Sequence, residues 1–167
     1  MAGGCAAVDV CYLASGGARA AIVVAPSPDF AAVDAEWTAT VPAVAPYRPG
    51  QFFLRELPPL RAVLADAGNL RLIVIDGYVD LDQAGRPGLG AEVHGEFAVP
   101  VIGVAKTSFR TATHAIPVIR AGSARPLFVT AAGLPLPEAA SLVRKMAGRY
   151  RLPDALRRAD ALARGTG

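Results

Sequence analysis

Two short apolar runs, Leu72–Ile75 and Val99–Val104, constrain the fold of this chain more than any other feature. Each is β-branched, too short for a helix and without polar alternation, the pattern of strands buried on both faces of a parallel sheet. The first is followed by an acid, Asp76, and at once by Gly77; the second leads to a base, Lys106. In an open α/β sheet, ligands gather outside the carboxyl ends of the strands. A carboxylate and an ammonium delivered to neighbouring strand ends therefore suit a site for metal and phosphate. An Asp-Gly turn and a lysine that blunts a strand account for the same two residues. The rest of the chain has to separate these readings.

A length of 167 residues suits a single domain, 1–167, and 53% apolar residues allow a sizeable core and exclude a disordered chain. The longest apolar runs stop well short of the roughly 18 residues of a membrane span, so no membrane partner is expected. Met1–Val10 has no basic segment leading into an apolar core, so no secretory signal is expected and the location is expected to be cytoplasmic. Cys5 and Cys11 form neither a disulfide framework nor a zinc pattern, and free thiols and a monomer are expected. The net charge of +3 is unevenly placed: Arg144–Arg164 carries seven basic side chains against Asp154 and Asp160. Such a segment can follow a polyanion backbone or be the solvated face of terminal helices.

In chain order, Ala6–Leu13 and Arg19–Ala25 flank a Ser15-Gly16-Gly17 turn and read as a hairpin. Trp37–Ala43 adds a third strand. Asp9 interrupts the first strand, where a buried carboxylate is costly unless it binds something or is hydrogen-bonded. Arg48-Pro49-Gly50-Gln51 has the residues of a type II turn and leaves Tyr47 at its mouth. Because Pro58 and Pro59 break helical hydrogen bonding, a short turn through Arg55-Glu56, a kink and a helix from Leu60 to Asp66 are expected, ended by Gly68. Further elements are expected at Leu89–Phe97 (helix), Ala115–Arg120 and Pro126–Ala131 (strands), Leu136–Gly148 (helix) and from Pro153 through Ala163 (helix).

Asp9, Glu56 and Asp76 are three carboxylates placed to converge, hard oxygen donors of the kind Mg²⁺ or Mn²⁺ uses. The order β-β-β-α-β-α-β with acids on strands one and four is that of a ribonuclease H-like α/β fold. Its mixed central sheet, an antiparallel three-strand meander followed by parallel strands, is flanked by helices. The segments VDVCY (Val8–Tyr12), PYRPGQFFLRELPPL (Pro46–Leu60), IVIDGY (Ile73–Tyr78), PVIGVAK (Pro100–Lys106) and YRLPDALRRADALARG (Tyr150–Gly165) resemble the endonuclease V family, in the family's order. These nucleases act at deoxyinosine or inosine.

That resemblance implies catalysis by Asp9, Glu56, Asp76 and Lys106, with the three acids holding Mg²⁺ or Mn²⁺ and Lys106 near the scissile phosphate. It implies a wedge of Tyr47, Arg48, Pro49 and Gly50 that fills the gap left by an extruded base. It further implies a base pocket involving Phe52, Gly77, Gly103, Ala105 and Phe109. The expected partner is DNA or RNA containing inosine, cut to leave a 3′-hydroxyl and a 5′-phosphate. The chain departs from the family in four places. After Asp76 it has GYVDLDQAGRPG, without the family's histidine, and Glu92 stands where a further histidine is usual, with His94 two residues on. A third family histidine aligns near Ala132. The chain also begins almost on strand one, without the helical segment that precedes it in the family, so that either its start is truncated or it is a short, divergent member. A paralogue that binds nucleic acid with weakened turnover, or one repurposed for another nucleotide-like substrate, remains an alternative.

Overall fold

The structure, a computed structural model, describes residues 3–49, 51 and 53–166. Gly50 of the expected wedge and Phe52 of the expected base pocket lie outside these described residues. The elements are β1 (Gly4–Tyr12), β2 (Ala18–Ala25), β3 (Ala35–Val41), α1 (Phe53–Leu64), β4 (Leu70–Asp76), α2 (Leu89–Phe97), β5 (Val101–Ala105), β6 (Ile116–Val118), β7 (Leu127–Ala132), α3 (Leu136–Lys145) and α4 (Asp154–Arg164).

The strands form one sheet in the order β3-β2-β1-β4-β5-β7-β6. β1, β2 and β3 are an antiparallel meander, and β1, β4 and β5 run parallel. β5 pairs antiparallel with β7, and β7 with β6. The parallel part of the mixed sheet therefore ends at β5. Side chains alternate between the two faces. On one face Ala6, Val8, Ile22, Ile73 and Ile75 meet Leu60 and Val63 of α1 and Val93 of α2. On the other, Cys5, Ala7, Leu72, Val74 and Ile102 belong to the cluster that includes Val143 of α3 and Leu156 of α4. The sheet is thus sandwiched between two helical layers. Among the described residues no helix is long and apolar enough to cross a membrane.

Helix α1 corrects the expectation drawn from Pro58 and Pro59. It runs without a break from Phe53 to Leu64, with both prolines inside. Each interior proline costs about 3 kcal/mol, but Leu60, Val63 and Leu64 become buried, at about 1.5–3 kcal/mol apiece. The apolar face offsets the local penalty. As a result Glu56 is held in the first helical turn rather than in a flexible bend. The short helix expected at Leu89–Phe97 is α2, and the last helix, α4, closes on Gly165 in the left-handed region at φ 79°.

Candidate active site

β1 and β4 run parallel with Val8 opposite Ile75, so the next residues, Asp9 and Asp76, fall side by side. Alternation places both on the face of Cys5, Ala7, Leu72 and Val74, against which α4 packs. β5 lies on the other side of β4, and Lys106 follows its last residue. Its Nζ reaches 2.8 Å from Asp76 Oδ2. Glu56, from α1, borders the same narrow cleft as Asp9 and Asp76. The structure thus brings together the four residues singled out for catalysis, three of them delivered by adjacent parallel strands.

The electrostatics of the cleft are those of crowded acids. Burial, then the charge of Asp76, pushes the Asp9 carboxyl up from 3.8 to about 7, against the Val10 N–H that donates to its Oδ1 at 2.9 Å. Burial likewise raises Glu56 from 4.5 to about 7. The Tyr12 hydroxyl, donating to Glu56 Oε1 at 3.3 Å, holds that shift back, as the Arg55 charge also does, while Asp76 adds to it. Tyr12 is itself pushed up to about 12, by burial first and by Glu56 second, and Arg55 stands 4.3 Å over its ring. Partial burial of Lys106 would lower its affinity for a proton, but the bond to and charge of Asp76, with Asp9 and Asp160 beyond, raise it overall.

Asp160 is the site residue that sequence reasoning missed. It sits on α4, its Oδ1 accepts from Arg164 Nε at 2.8 Å, and it adds to the rise of the Asp9 carboxyl after burial and Asp76. In sequence it is one acid among arginines on an amphipathic helix, where a solvated carboxylate is the ordinary reading. Its one signal was its place within the Tyr150–Gly165 segment.

A cavity of about 340 Å³ opens beside Glu56 and Asp76, lined also by Gly77, Tyr78, Leu81, Leu89 and Phe109. The Tyr78 and Phe109 rings are 5.9 Å apart and tilted by 49°, and the Tyr78 hydroxyl is tied to the Thr107 carbonyl at 2.7 Å. Of the residues expected in a base pocket, Gly77 and Phe109 line this cavity, whereas Gly103 and Ala105 are buried and do not. Gly103 lets β5 approach the loop after β4: a Cβ there would stand 2.5 Å from the Gly77 carbonyl oxygen and 2.6 Å from Thr130 Oγ1. Tyr78, Leu81 and Leu89 line the cavity without having been foreseen there.

Tyr47 is exposed, as are Arg48 and Pro49, and the Gln51 N–H donates to the Arg48 carbonyl at 3.0 Å, closing a β-turn. His94 Nδ1 is 2.8 Å from the Val99 carbonyl oxygen, a contact that ties the end of α2 to the segment leading into β5. Asp82 binds the backbone and side chain of Arg86 within its own loop.

Residues 3–134 match the model of the endonuclease V family. The chain belongs to that family. An endonuclease V from Streptomyces coelicolor is 34% identical over 179 residues, covering 94% of this chain and 76% of that protein. The crystal structure of endonuclease V from Streptomyces avermitilis has a TM-score of 0.84 at 31% identity, covering 98% of this chain and 80% of that one. Endonuclease V from Ciona intestinalis, in complex with a 24mer DNA containing an inosine followed by a ribo-adenosine, has a TM-score of 0.77 at 19% identity, over 98% of this chain and 85% of that one. This last likeness is one of fold. Endonuclease V proteins are generally phosphodiester hydrolases, and the mixed sheet with its helical layers is ribonuclease H-like. The family match spans Asp9, Glu56, Asp76 and Lys106 and stops short of α4, which carries Asp160.

The donors of this endonuclease V cleft suit a hard divalent cation: all are carboxylate oxygens, and two of the carboxyls are driven toward protonation by burial first and by the charge of Asp76 besides. Each carboxylate is engaged by a protein donor as it stands. Among the described residues no three His, Cys, Asp or Glu side chains are drawn together closely enough to hold an ion.

Proposed function

We propose that this chain is a divalent-metal-dependent endonuclease that hydrolyses the phosphodiester 3′ to deoxyinosine or inosine, in DNA or RNA. The observation that carries this reading is the convergence of Asp9, Glu56, Asp76 and Lys106 on one cleft, beside an apolar cavity. Family membership supports hydrolysis of a phosphodiester, and the relative from Ciona intestinalis, whose structure holds an inosine-containing DNA, supports the choice of base.

Asp9, Glu56 and Asp76 would hold Mg²⁺ or Mn²⁺, which supplies an activated water and stabilises charge developing on the phosphate. Asp160 restrains Asp9 from the α4 side. Lys106, held on Asp76, presents its ammonium to the scissile phosphate and offsets the negative charge that grows during in-line attack. The products are a 3′-hydroxyl and a 5′-phosphate. The cavity takes the extruded base, with the Tyr78 and Phe109 rings as its walls and the Gly77 backbone at its edge. Hypoxanthine lacks the amino group of guanine, so a close-fitting pocket accepts the one and excludes the other. Tyr47, Arg48, Pro49 and Gly50 part the strands and occupy the gap left in the duplex.

Loss of metal-dependent cleavage in Asp76→Ala, with the fold retained, tests the assignment. Full activity in that variant would remove its basis. The absence of a histidine from GYVDLDQAGRPG favours one second reading, binding without efficient turnover. It predicts salt-sensitive binding of nucleic acid with no cleavage in Mg²⁺ or Mn²⁺.

A further inference from the structure

Two of the seven basic side chains of the C-terminal segment lie against one exposed tyrosine. The guanidinium of Arg157 lies 4.0 Å from the Tyr150 ring centroid and that of Arg149 lies 5.5 Å from it. Arg149 Nη2 also donates to the Tyr150 hydroxyl at 3.4 Å. Cation–π attraction holds both cations against one ring, although like charges so close repel. An anion shared between them relieves that repulsion, and a phosphate with several acceptor oxygens matches two guanidinium forks.

Neighbouring acids leave this charge largely uncompensated. Asp154 is 3.8 Å from Arg157, both side chains being about half exposed at 57% and 48%, a pair of little worth in water. No carboxylate pairs with Arg149 among the described residues. Arg158, by contrast, is already committed to Glu36 at 2.9 Å.

The loop that carries Tyr150 is braced from beneath. Buried Arg120 donates to the carbonyls of Val143 at 2.7 Å, Met146 at 2.8 Å, Arg151 at 3.1 Å and Gly148 at 3.3 Å. Arg151 in turn donates to the carbonyls of Pro126 at 2.8 Å and Arg125 at 3.0 Å, and to that of Lys106. The exposed cations are thereby fixed relative to the strand end that bears Lys106. A surface concavity of about 540 Å³ is lined by Tyr150, Arg151, Arg157 and also Asp160. A second, of about 750 Å³, continues past Arg149 and Arg158. The two concavities share Tyr150 and Arg157, and Asp160, which acts on Asp9, lines the first of them.

We infer that Arg149 and Arg157, positioned by the Tyr150 ring, clamp a backbone phosphate of the nucleic-acid strand that flanks the scissile bond. This inference rests on the reading of the cleft as a nuclease site. The clamp reads charge and not base, so it adds grip without adding inosine specificity. Tyr150 is a positioning residue.

The test is binding of a labelled single-stranded oligonucleotide in EDTA, with and without inosine, followed by fluorescence anisotropy over a range of salt. Both arginines are exposed, so the Arg149→Ala/Arg157→Ala double variant keeps its core. It should bind about tenfold more weakly on either oligonucleotide, with the slope of log affinity against log salt reduced by ~1. Tyr150→Ala should lose about threefold while Tyr150→Phe, which keeps the ring, binds as the parent does. Parent-like affinity and salt slope in the double variant would overturn the clamp. If the parent cleaves inosine substrates and the double variant binds unchanged, only the clamp fails. If the double variant loses binding but the parent never cleaves, the nuclease reading fails and the clamp stands. A parent that neither binds nor cleaves overturns both.

Discussion

Lys106 Nζ stands 2.8 Å from Asp76 Oδ2, and the two residues are delivered by the carboxyl ends of adjacent parallel strands. The pairing couples the one ammonium of the cleft to the carboxylate that lies between it and Asp9. It sets a positive charge at the strand ends, while burial first and the charge of Asp76 besides hold the Asp9 and Glu56 carboxyls up.

Replacing Lys106 with methionine keeps the length of the side chain and removes its charge. Cleavage of an inosine oligonucleotide should fall about 10²–10³-fold, the scale of removing one preorganised donor to a developing oxyanion. Because the Lys106 side chain is 45% exposed, its ion pair contributes little to folding, and Tm should stay within a few degrees. Single-turnover kinetics alongside a thermal melt check both halves.

The raised carboxyls make the metal-free protein more stable in acid. Asp9 and Glu56 ordinarily titrate at 3.8 and 4.5, and in the fold both titrate at about 7. Between those values the unfolded chain is ionised while the fold holds the protons. Stability is therefore lost as pH rises through this window, and the full penalty is present above about pH 7. In EDTA the Tm should be roughly 5–10 °C lower at pH 8 than at pH 5. An Asp9→Asn/Glu56→Gln variant should narrow that difference, and Mg²⁺ or Mn²⁺ should restore the parent at pH 8. Differential scanning calorimetry across pH reads this directly.

Asp160 predicts effects of opposite sign on stability and on activity. Its charge and hydrogen bond both raise Asp9, so Asp160→Asn relieves crowding, and the metal-free protein should melt a few degrees higher at pH 8. The same change loosens Asp9 as a ligand, and cleavage should fall about 10–100-fold, the usual cost of losing an outer partner of a metal site. A variant that loses both stability and activity would make Asp160 a folding residue instead.

Tyr47 is 55% exposed, close to the turn closed by Gln51 and Arg48. A side chain that fills the gap left by an extruded base matters only where there is a partner strand. Tyr47→Ala should therefore cost about tenfold on duplex inosine substrates and little on single strands, measured as kcat/KM on each. Equal losses on both would remove the wedge role.

Much of this molecule was legible in its sequence. The apolar runs at Leu72–Ile75 and Val99–Val104 are parallel strands because burial on both faces demands unbroken β-branched sequence. Leu89–Phe97 is a helix with the expected bounds. Asp9 and Asp76 stood out because they interrupt or end apolar strands, where a carboxylate needs a reason, whereas Glu56 drew its place in the set from the resemblance. Pro58 and Pro59 misled because local propensity weighs less than the packing of Leu60, Val63 and Leu64 beneath them. Asp160 was invisible for a related reason: on a helix rich in arginine, only the register of α4 against β1 distinguishes a site carboxylate from a solvated one. Tyr78, Leu81 and Leu89 could not be assigned to the cavity because the path of the loop after Asp76 has no period to read.

The most direct test is cleavage of single- and double-stranded oligonucleotides carrying one inosine, by the parent and by Asp76→Ala, in Mg²⁺, Mn²⁺ or EDTA. The expected result is metal-dependent nicking on the 3′ side of the inosine, leaving a 5′-phosphate, by the parent alone, with control strands intact. Equal nicking by Asp76→Ala, or nicking that ignores inosine or persists in EDTA, would contradict the account.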